Sequence, residues 1–382
     1  MAAQTPFEEA VEIVLEAGGE PLRLCYQCGL CTATCPWNLV RNFGVRGIML
    51  QSQLGLVDFE AREPWVCSTC RACVDRCPRG VEIIDVMRAL RRAMVGLGFG
   101  HVPESLELVL KSIAGTGNPL GEAKEKRTGW TKGRDIKDFS RDTEFLYVPC
   151  CVPAYDPNVQ RVAQATSDIL SGLKVDFGTI GAEENCCGES VRKAGNEELF
   201  TSLAQNNINT FTERGVKKIL VSSPHCYHTF KNEYPELGGE FEVTHVVQLL
   251  AGLVKRQELT FSKEVKKKVA YHDPCYLGRH GGIYEEPRLV LESIPGLELI
   301  ELPGSREEGI CCGGGGGGIW LETKKGERLS DLRLEQAVAA GADILAVACP
   351  YCMLNFDDSR LTADKGDTIE IKDISELVRE AI

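Results

Sequence analysis

Two twelve-residue stretches constrain this chain more than anything else in it. "CYQCGLCTATCP" sets Cys25, Cys28, Cys31 and Cys35 at the spacing C-x2-C-x2-C-x3-C-P, and "CSTCRACVDRCP" sets Cys67, Cys70, Cys73 and Cys77 at the same spacing. The first three thiolates of such a run wrap one cubane [4Fe–4S] cluster face by face. The fourth, followed by a proline that turns the chain away, lies beyond that reach and ligates the other cluster. The expected grouping is therefore crossed: Cys25, Cys28, Cys31 and Cys77 on one cluster, Cys67, Cys70, Cys73 and Cys35 on the second. Zinc takes its ligands as two pairs, and two runs of three plus one do not offer that.

The spacing is that of bacterial two-cluster ferredoxins, which this segment resembles. Between the runs, "NLVRNFGVRGIMLQSQLGLV" has helical spacing, as does "VEIIDVMRALRRAMVGLG" after Cys77. An α-helical ferredoxin module over residues 1–97 is expected, similar to those of multi-subunit redox complexes.

The chain carries 18 cysteines in 382 residues. So many thiols are either disulfides in an oxidising compartment or metal ligands in a reducing one. The start, "MAAQTPFEEAVEIVLEAGGEPL", decides between them: it is acidic, lacks a basic n-region and an unbroken apolar stretch, and so reads as no signal peptide. Phe7, Ala10, Val11, Val14 and Leu15 instead fall at helical spacing. Thiolate ligands in a cytoplasmic protein are the expectation. No window of 18 apolar residues occurs, so no direct membrane span is expected; membrane association would come through a partner subunit. A net charge of −12 argues against nucleic acid.

Residues 98–143 lack a sustained period apart from a short helix near "PESLELVLKSIA". The Gly, Pro and mixed charges that follow mark a surface linker with a solvated face. From 144 the chain repeats itself. Cys150 and Cys275 stand 125 positions apart, as do Cys186 and Cys311, and Cys187 and Cys312, while "GVKKILVSSPHCYHTF" (215–230) aligns without a gap on "GADILAVACPYCMLNF" (341–356). Each copy (144–262 and 263–382) reads as three strands alternating with helices, "EFLYV", "KVDFGTI" and "KKILV", then "KKVAY", "LELIEL" and "DILAV". Such alternation implies two tandem α/β repeats, each with a small parallel sheet. Every cysteine motif falls just after a strand, where open α/β sheets collect their ligands.

Cys275, Cys311, Cys312, Cys349 and Cys352 thus converge in the second repeat, five thiolates where one cubane needs four. In the first, Cys150, Cys186, Cys187 and Cys226 match, Ser223 stands where Cys349 does, and Cys151 is extra, opposite Tyr276. The pattern Cys275, Cys311–Cys312–Gly313, Cys349, Cys352 resembles the "CCG" domain of the heterodisulfide reductase family. A two-cluster ferredoxin fused to two such domains resembles the catalytic subunit of the membrane-linked enzyme and CCG-domain iron–sulfur oxidoreductases of anaerobic complexes. The resemblance implies a noncubane [4Fe–4S] cluster in the complete second repeat, where a disulfide would meet iron directly. Serine is a poor soft-metal ligand. The first repeat is therefore expected to hold an ordinary further cluster on Cys150, Cys186, Cys187 and Cys226, the alternative being that it recruits Cys151 for a noncubane one.

Gly313, Gly314 and the rest of the run to Gly318 lack the Gly-Lys-Ser/Thr of a phosphate loop. They read as backbone that approaches a cluster closely and offers it N–H groups. His272, beside Cys275, either gives a proton to a departing thiolate or donates a hydrogen bond from behind the ligands. His225, His228 and His280 share that ambiguity, and His245 reads as structural. Arg279 and Arg288 either meet an anionic substrate or offset cluster charge. With no G-x-G-x-x-G in the required context, the chain needs a partner that exchanges single electrons, a flavoprotein, iron–sulfur or cytochrome b subunit. Two functions compete: an electron-transfer subunit of a heterodisulfide reductase-like oxidoreductase, and a thiol-disulfide reductase acting at His272 and Cys275.

Overall fold

Each cysteine run closes on itself because its third and fifth residues have positive φ: Gln27 (67°) and Gly29 (85°), then Thr69 (49°) and Arg71 (70°). Left-handed backbone costs an L-residue roughly 1–2 kcal/mol, and three of these four are not glycine. Such outliers persist only where the surroundings over-determine them. A short helical turn follows in each case, Leu30–Thr34 and Ala72–Asp75. The computed structural model describes residues 6–98, 102–362 and 368–382; the linker's residues 99–101 and residues 363–367 of the second repeat lie outside them. Among the described residues the N-terminal module is helix and turn without a strand.

The module's principal helix, Ile83–Leu97, forms because Ile83, Val86, Met87, Leu90 and Met94 recur at helical spacing and are buried. It stops at Gly98, whose φ of 65° ends the helix in the left-handed region. Arg91 lies on the same buried face and is fully covered.

The expectation of a solvated linker needs correcting. The helix Glu104–Thr116 forms as expected, but the following 3-10 segment Lys124–Thr131 buries Arg127 and Trp130. Trp130 meets the ring of Tyr147 edge-on at 5.5 Å. Phe139 is buried too, and its N–H binds Thr179 O at 2.9 Å. The segment is a wall of the first repeat, because its two large side chains find core there despite their charged neighbours.

The repeats have the same topology. β1 (Phe145–Val148), β2 (Phe177–Gly178), β3 (Lys218–Val221) and β4 (Glu242–His245) make a parallel sheet in the order β2-β1-β3-β4; β5 (Lys268–Tyr271), β6 (Glu298–Ile300), β7 (Ile344–Val347) and β8 (Glu370–Asp373) follow as β6-β5-β7-β8. Each has four strands where the sequence indicated three. In both sheets the strand order reverses beside the central strand, so the loops after β1 and β3, and after β5 and β7, flank a switch point. The repeats also pack reciprocally. The long helix that follows β1 in repeat one (Gln160–Gly172) lies on the last of repeat two (Ile374–Ala381), and the last of repeat one (Val246–Lys255) on the helix that follows β5 in repeat two (Glu285–Glu292). Such exchange is the pattern a two-fold relation produces.

The chain forms two compact units. One is Met1–Leu108 with Ser190–Phe200 and Gly313–Leu329; the other is Val109–Glu189, Thr201–Cys312 and Ser330–Ile382. The stretch after each Cys-Cys motif therefore leaves its repeat and joins the N-terminal unit. No helix among the described residues is long and apolar enough to cross a membrane.

Candidate metal centres

In the N-terminal unit the eight thiols gather in two groups. Cys25, Cys28, Cys31 and Cys77 line one cavity with ≈ 370 Å³ of space between atoms, part of it open to solvent. Cys35, Cys67, Cys70 and Cys73 line a second of ≈ 350 Å³, with Trp37 and Met87. The fourth cysteine of each run is thus with the other run's three. Burial and then the neighbouring thiols push Cys73 well above an ordinary thiol. A metal that needs its thiolate must displace that proton.

Arg91 braces the second group. Its Nε and Nη2 donate to Pro64 O at 3.0 and 2.8 Å, Nη2 also to Cys67 O at 2.6 Å, and Nη1 to Lys193 O at 2.7 Å and Gly316 O at 2.8 Å. All five guanidinium N–H groups are used. Gly316 has φ of 62°, and a Cβ there would stand 2.5 Å from Cys67 O. This part of the glycine run thus lets backbone lie against the loop of Cys67. Gly313 also has positive φ (90°) and faces Trp37, its nearest ring atom 3.5 Å from where a Cβ would be.

In the first repeat, the residue after β1's loop turns sharply: Cys150 has φ 81° and ψ 156°. Cys151 opens the next helical turn, and Cys226 lies in the turn Pro224–His228 after β3. Cys187 adjoins Cys186 and Cys226, whose hydrogen bonds take it down to about 6. Cys226 also adjoins Cys150, and Cys186 adjoins Cys151. The loop is held from outside: Gly117 O accepts the Cys186 N–H at 2.7 Å, Asn207 Nδ2 donates to Cys186 O at 3.1 Å, and Tyr234 OH to Cys187 O at 3.1 Å. Ser223 is fully buried, with its Oγ unpartnered.

In the second repeat Cys275 and Cys311 sulfurs stand 3.8 Å apart, and Cys312 and Cys352 sulfurs 3.3 Å apart. Burial alone would raise Cys349, but hydrogen bonds with Cys352 and His225 take it down to about 5. His272 is fully buried, and neither ring nitrogen has a partner, although it lies within 4.8 Å of the Cys312 and Cys352 sulfurs. Burial, then Arg333, lowers its pKa to about 3. The ring is a neutral imidazole with one N–H to offer.

His225 joins the repeats. It is buried between Tyr276 and Tyr351, 4.1 and 4.6 Å between ring centres, and pairs with Glu189 at 3.1 Å. Burial would lower its pKa, but Glu189 and then Cys349 raise it to about 10. His228 and His280 meet edge-on at 4.9 Å, and His280 stacks on Tyr276. His245 caps its helix through Nδ1 and lies 3.2 Å from Ser222 O through Nε2, a structural role. Arg288 fits neither expected role: it grips Asp273 at 2.7 and 2.9 Å and Glu301 at 2.5 and 2.9 Å. Arg279 donates to the carbonyls of Glu307 and Gly309. Sequence reasoning missed Arg91, Arg127 and Glu189, none of which belongs to a motif.

The donor sets suit iron–sulfur clusters, being soft sulfur throughout. The unpartnered nitrogens of His272, one of them within 4.8 Å of two thiol sulfurs, agree with a site built around a bound group.

Residues 24–82 match the family described as the 4Fe-4S dicluster domain, and residues 145–231 and 269–357 match the cysteine-rich domain. The chain is 36% identical over 84% of its length to the "Probable iron-sulfur-binding oxidoreductase FadF" of Bacillus subtilis. It is 35% identical over 83% to the EtfAB:quinone oxidoreductase of Syntrophomonas wolfei. It spans about half, 46%, of each of those relatives. With a subunit of the dihydromethanophenazine:CoB–CoM heterodisulfide reductase of Methanosarcina barkeri it shares 31% identity over 94% of both chains.

Proposed function

Because this chain belongs to the family of that heterodisulfide reductase subunit, we propose that it is an iron–sulfur electron-transfer subunit of an anaerobic oxidoreductase complex. The observation that carries this is the crossed grouping of the eight N-terminal thiols in one unit; the other unit holds two further thiol groups linked by His225. Bound clusters would supply one-electron transfer. Cys25, Cys28, Cys31 and Cys77 would hold one cubane, and Cys35, Cys67, Cys70 and Cys73 another. Cys150, Cys186, Cys187 and Cys226 would hold a further cluster; Cys275, Cys311, Cys312, Cys349 and Cys352 would hold the noncubane one, with Gly313 and Gly314 as backbone beside it. Around the two repeats' thiols, all buried, the protein excludes water and fixes the sulfurs. His225 donates toward Cys349, and Asn355 Nδ2 holds Cys312 O at 3.1 Å. The relatives' names pair EtfAB with a quinone and dihydromethanophenazine with the CoB–CoM heterodisulfide. A flavoprotein, a further iron–sulfur protein or a cytochrome b is accordingly the partner class proposed, and cytoplasmic placement with membrane contact through that partner goes with it.

Cys77→Ser tests the reading. In anaerobically purified protein it should remove the cluster built on Cys25, Cys28 and Cys31 and leave the one on Cys67, Cys70 and Cys73. Loss of the second cluster instead would sink the crossed assignment. A second reading, thiol-disulfide reduction at Cys275 with His272, is favoured by the unpartnered His272 nitrogens. Its neutral imidazole supports a hydrogen-bonding role over that of an acid. Turnover of a disulfide that Cys275→Ser abolishes would support this second reading, and absence of such turnover in the wild-type complex would dismiss it.

A further inference from the structure

The first repeat's extra cysteine stands in surroundings that the second repeat does not have. Arg127 Nη1 points at Cys151 Sγ from 3.6 Å. Arg127 is 2% exposed and pairs with the equally buried Glu184, and its guanidinium lies 5.6 Å from the ring centre of Tyr155. Its Nε, also buried, has no acceptor. Glu184 already offsets the charge of this buried arginine, so what sets the thiol apart is the Nη1 directed at it and the Nε left without an acceptor.

Comparing the two copies position by position sharpens this. Across the gapless stretch from the first cysteine to the Cys-Cys pair, Cys151 is replaced by Tyr276 and Glu184 by Gly309; beyond it Ser223 is replaced by Cys349. The copy that lacks the cysteine after β3 is the one that has Cys151, with the buried carboxylate that holds its arginine. Yet Cys151 does not stand where Ser223 stands. It adjoins Cys186, whereas Cys349 adjoins Cys352, the counterpart of Cys226. The unusual backbone of Cys150, absent at Cys275, sets two successive thiols at this site.

We propose that Cys151 is a fifth thiolate ligand of the first repeat's centre, entering at the Cys186 end and held by the Arg127–Glu184 pair. Both repeats then present five sulfurs to iron, at opposite ends of the Cys-Cys pair. On binding, the Cys151 S–H bond breaks, its proton leaves to solvent, and a sulfur–iron bond forms with no change in electron count. This rests on the reading that the first repeat carries a cluster.

The test uses the full chain, loaded and purified anaerobically, with iron and sulfide counted and electron paramagnetic resonance followed through a redox titration. Cys226→Ser identifies the first repeat's component as the one it removes, with about four iron atoms. Cys151→Ala should remove or reshape that same component, Cys151→Ser should retain it in altered form, and the ferredoxin signals should persist in both. Arg127→Lys, which keeps every thiol, should keep the iron and shift that component's midpoint. If Cys226→Ser removes no iron, the underlying reading fails. If it does, while Cys151→Ala, Cys151→Ser and Arg127→Lys all match wild type in that component, this inference alone is overturned.

Discussion

Arg91 offers the sharpest stability test. Its five donors satisfy four carbonyls, the buried ones of Pro64, Lys193 and Gly316 and the half-buried one of Cys67, which come from three separated stretches of the chain. Arg91→Met keeps much of the apolar stem and removes every one of these bonds. Each orphaned buried carbonyl costs about 1–3 kcal/mol, so the three buried ones give about 3 kcal/mol at the least and about 9 at the most. The substitution also removes the guanidinium 5.4 Å from the Trp65 ring centre. Losses above about 4 kcal/mol are rare for single substitutions and compare with the whole stability of many domains, about 5–15 kcal/mol. Arg91→Met should therefore lose the N-terminal clusters at a much lower guanidinium concentration than wild type, followed anaerobically by visible absorbance. Arg91→Lys should fall between the two, because an ammonium cannot reach carbonyls on three sides at once. A midpoint for Arg91→Met within about 0.5 kcal/mol of wild type, the range of an ordinary surface change, would refute the reasoning.

Gly316→Ala should destabilise the same unit by about 2–5 kcal/mol, from positive φ and overpacking against Cys67 O. Gly326→Ala, also at positive φ but with open space around it, should cost only about 1–2 kcal/mol; equal denaturation midpoints for the two would count against the close-approach account. His245 and His272 titrate near 3 in the folded chain, burial being the main cause, against about 6.5 when unfolded. The unfolded chain thus binds the extra protons below pH 6.5, so this stability is complete above about 6.5 and is lost as pH falls towards 3, by up to about 1.4 kcal/mol per pH unit for each ring. His245→Asn, which keeps a capping acceptor, should flatten the acid-side slope between pH 7 and 5 in metal-free protein, and an unchanged slope would exclude His245 as a source. Cys352→Ser should abolish the signal of the noncubane cluster proposed for the second repeat while those of the cubanes proposed for the ferredoxin module remain, as read by paramagnetic resonance and iron counts.

The crossed thiol groups were legible in the sequence because the spacing of each run sets which sulfurs can share a cluster, and the two runs stand only 42 residues apart. The parallel sheets were legible because their central strands are short apolar runs, such as "FLYV" and "ILAV". The edge strands β4 and β8 were not. "EVTH" and "EIKD" bury only two residues each, too few to show a period, and their partners β3 and β7 settle their conformation. The role of Arg288 was not legible for a related reason. Its place in the sequence near Cys275 left an anionic substrate and cluster charge as alternatives, and the partners that neutralise it instead, Asp273 and Glu301, lie 15 and 13 residues away.

Buried arginines are the hardest case, since an arginine in "ALRRAM" or "EKRTGW" looks like surface until a distant acceptor closes over it. Arg91 reaches 225 residues along the chain to Gly316, and Arg127 reaches 57 to Glu184. No periodicity within a helix or a loop carries that information. The duplication does carry some of it. Two copies that share a topology should share the residues that the topology needs, so departures such as Cys151 for Tyr276, Glu184 for Gly309 and Ser223 for Cys349 mark positions answering to something else. Two of those three departures converge in space on one thiol and its buried arginine. Scatter of unrelated drift would not place them there; the fifth thiolate proposed for that repeat would.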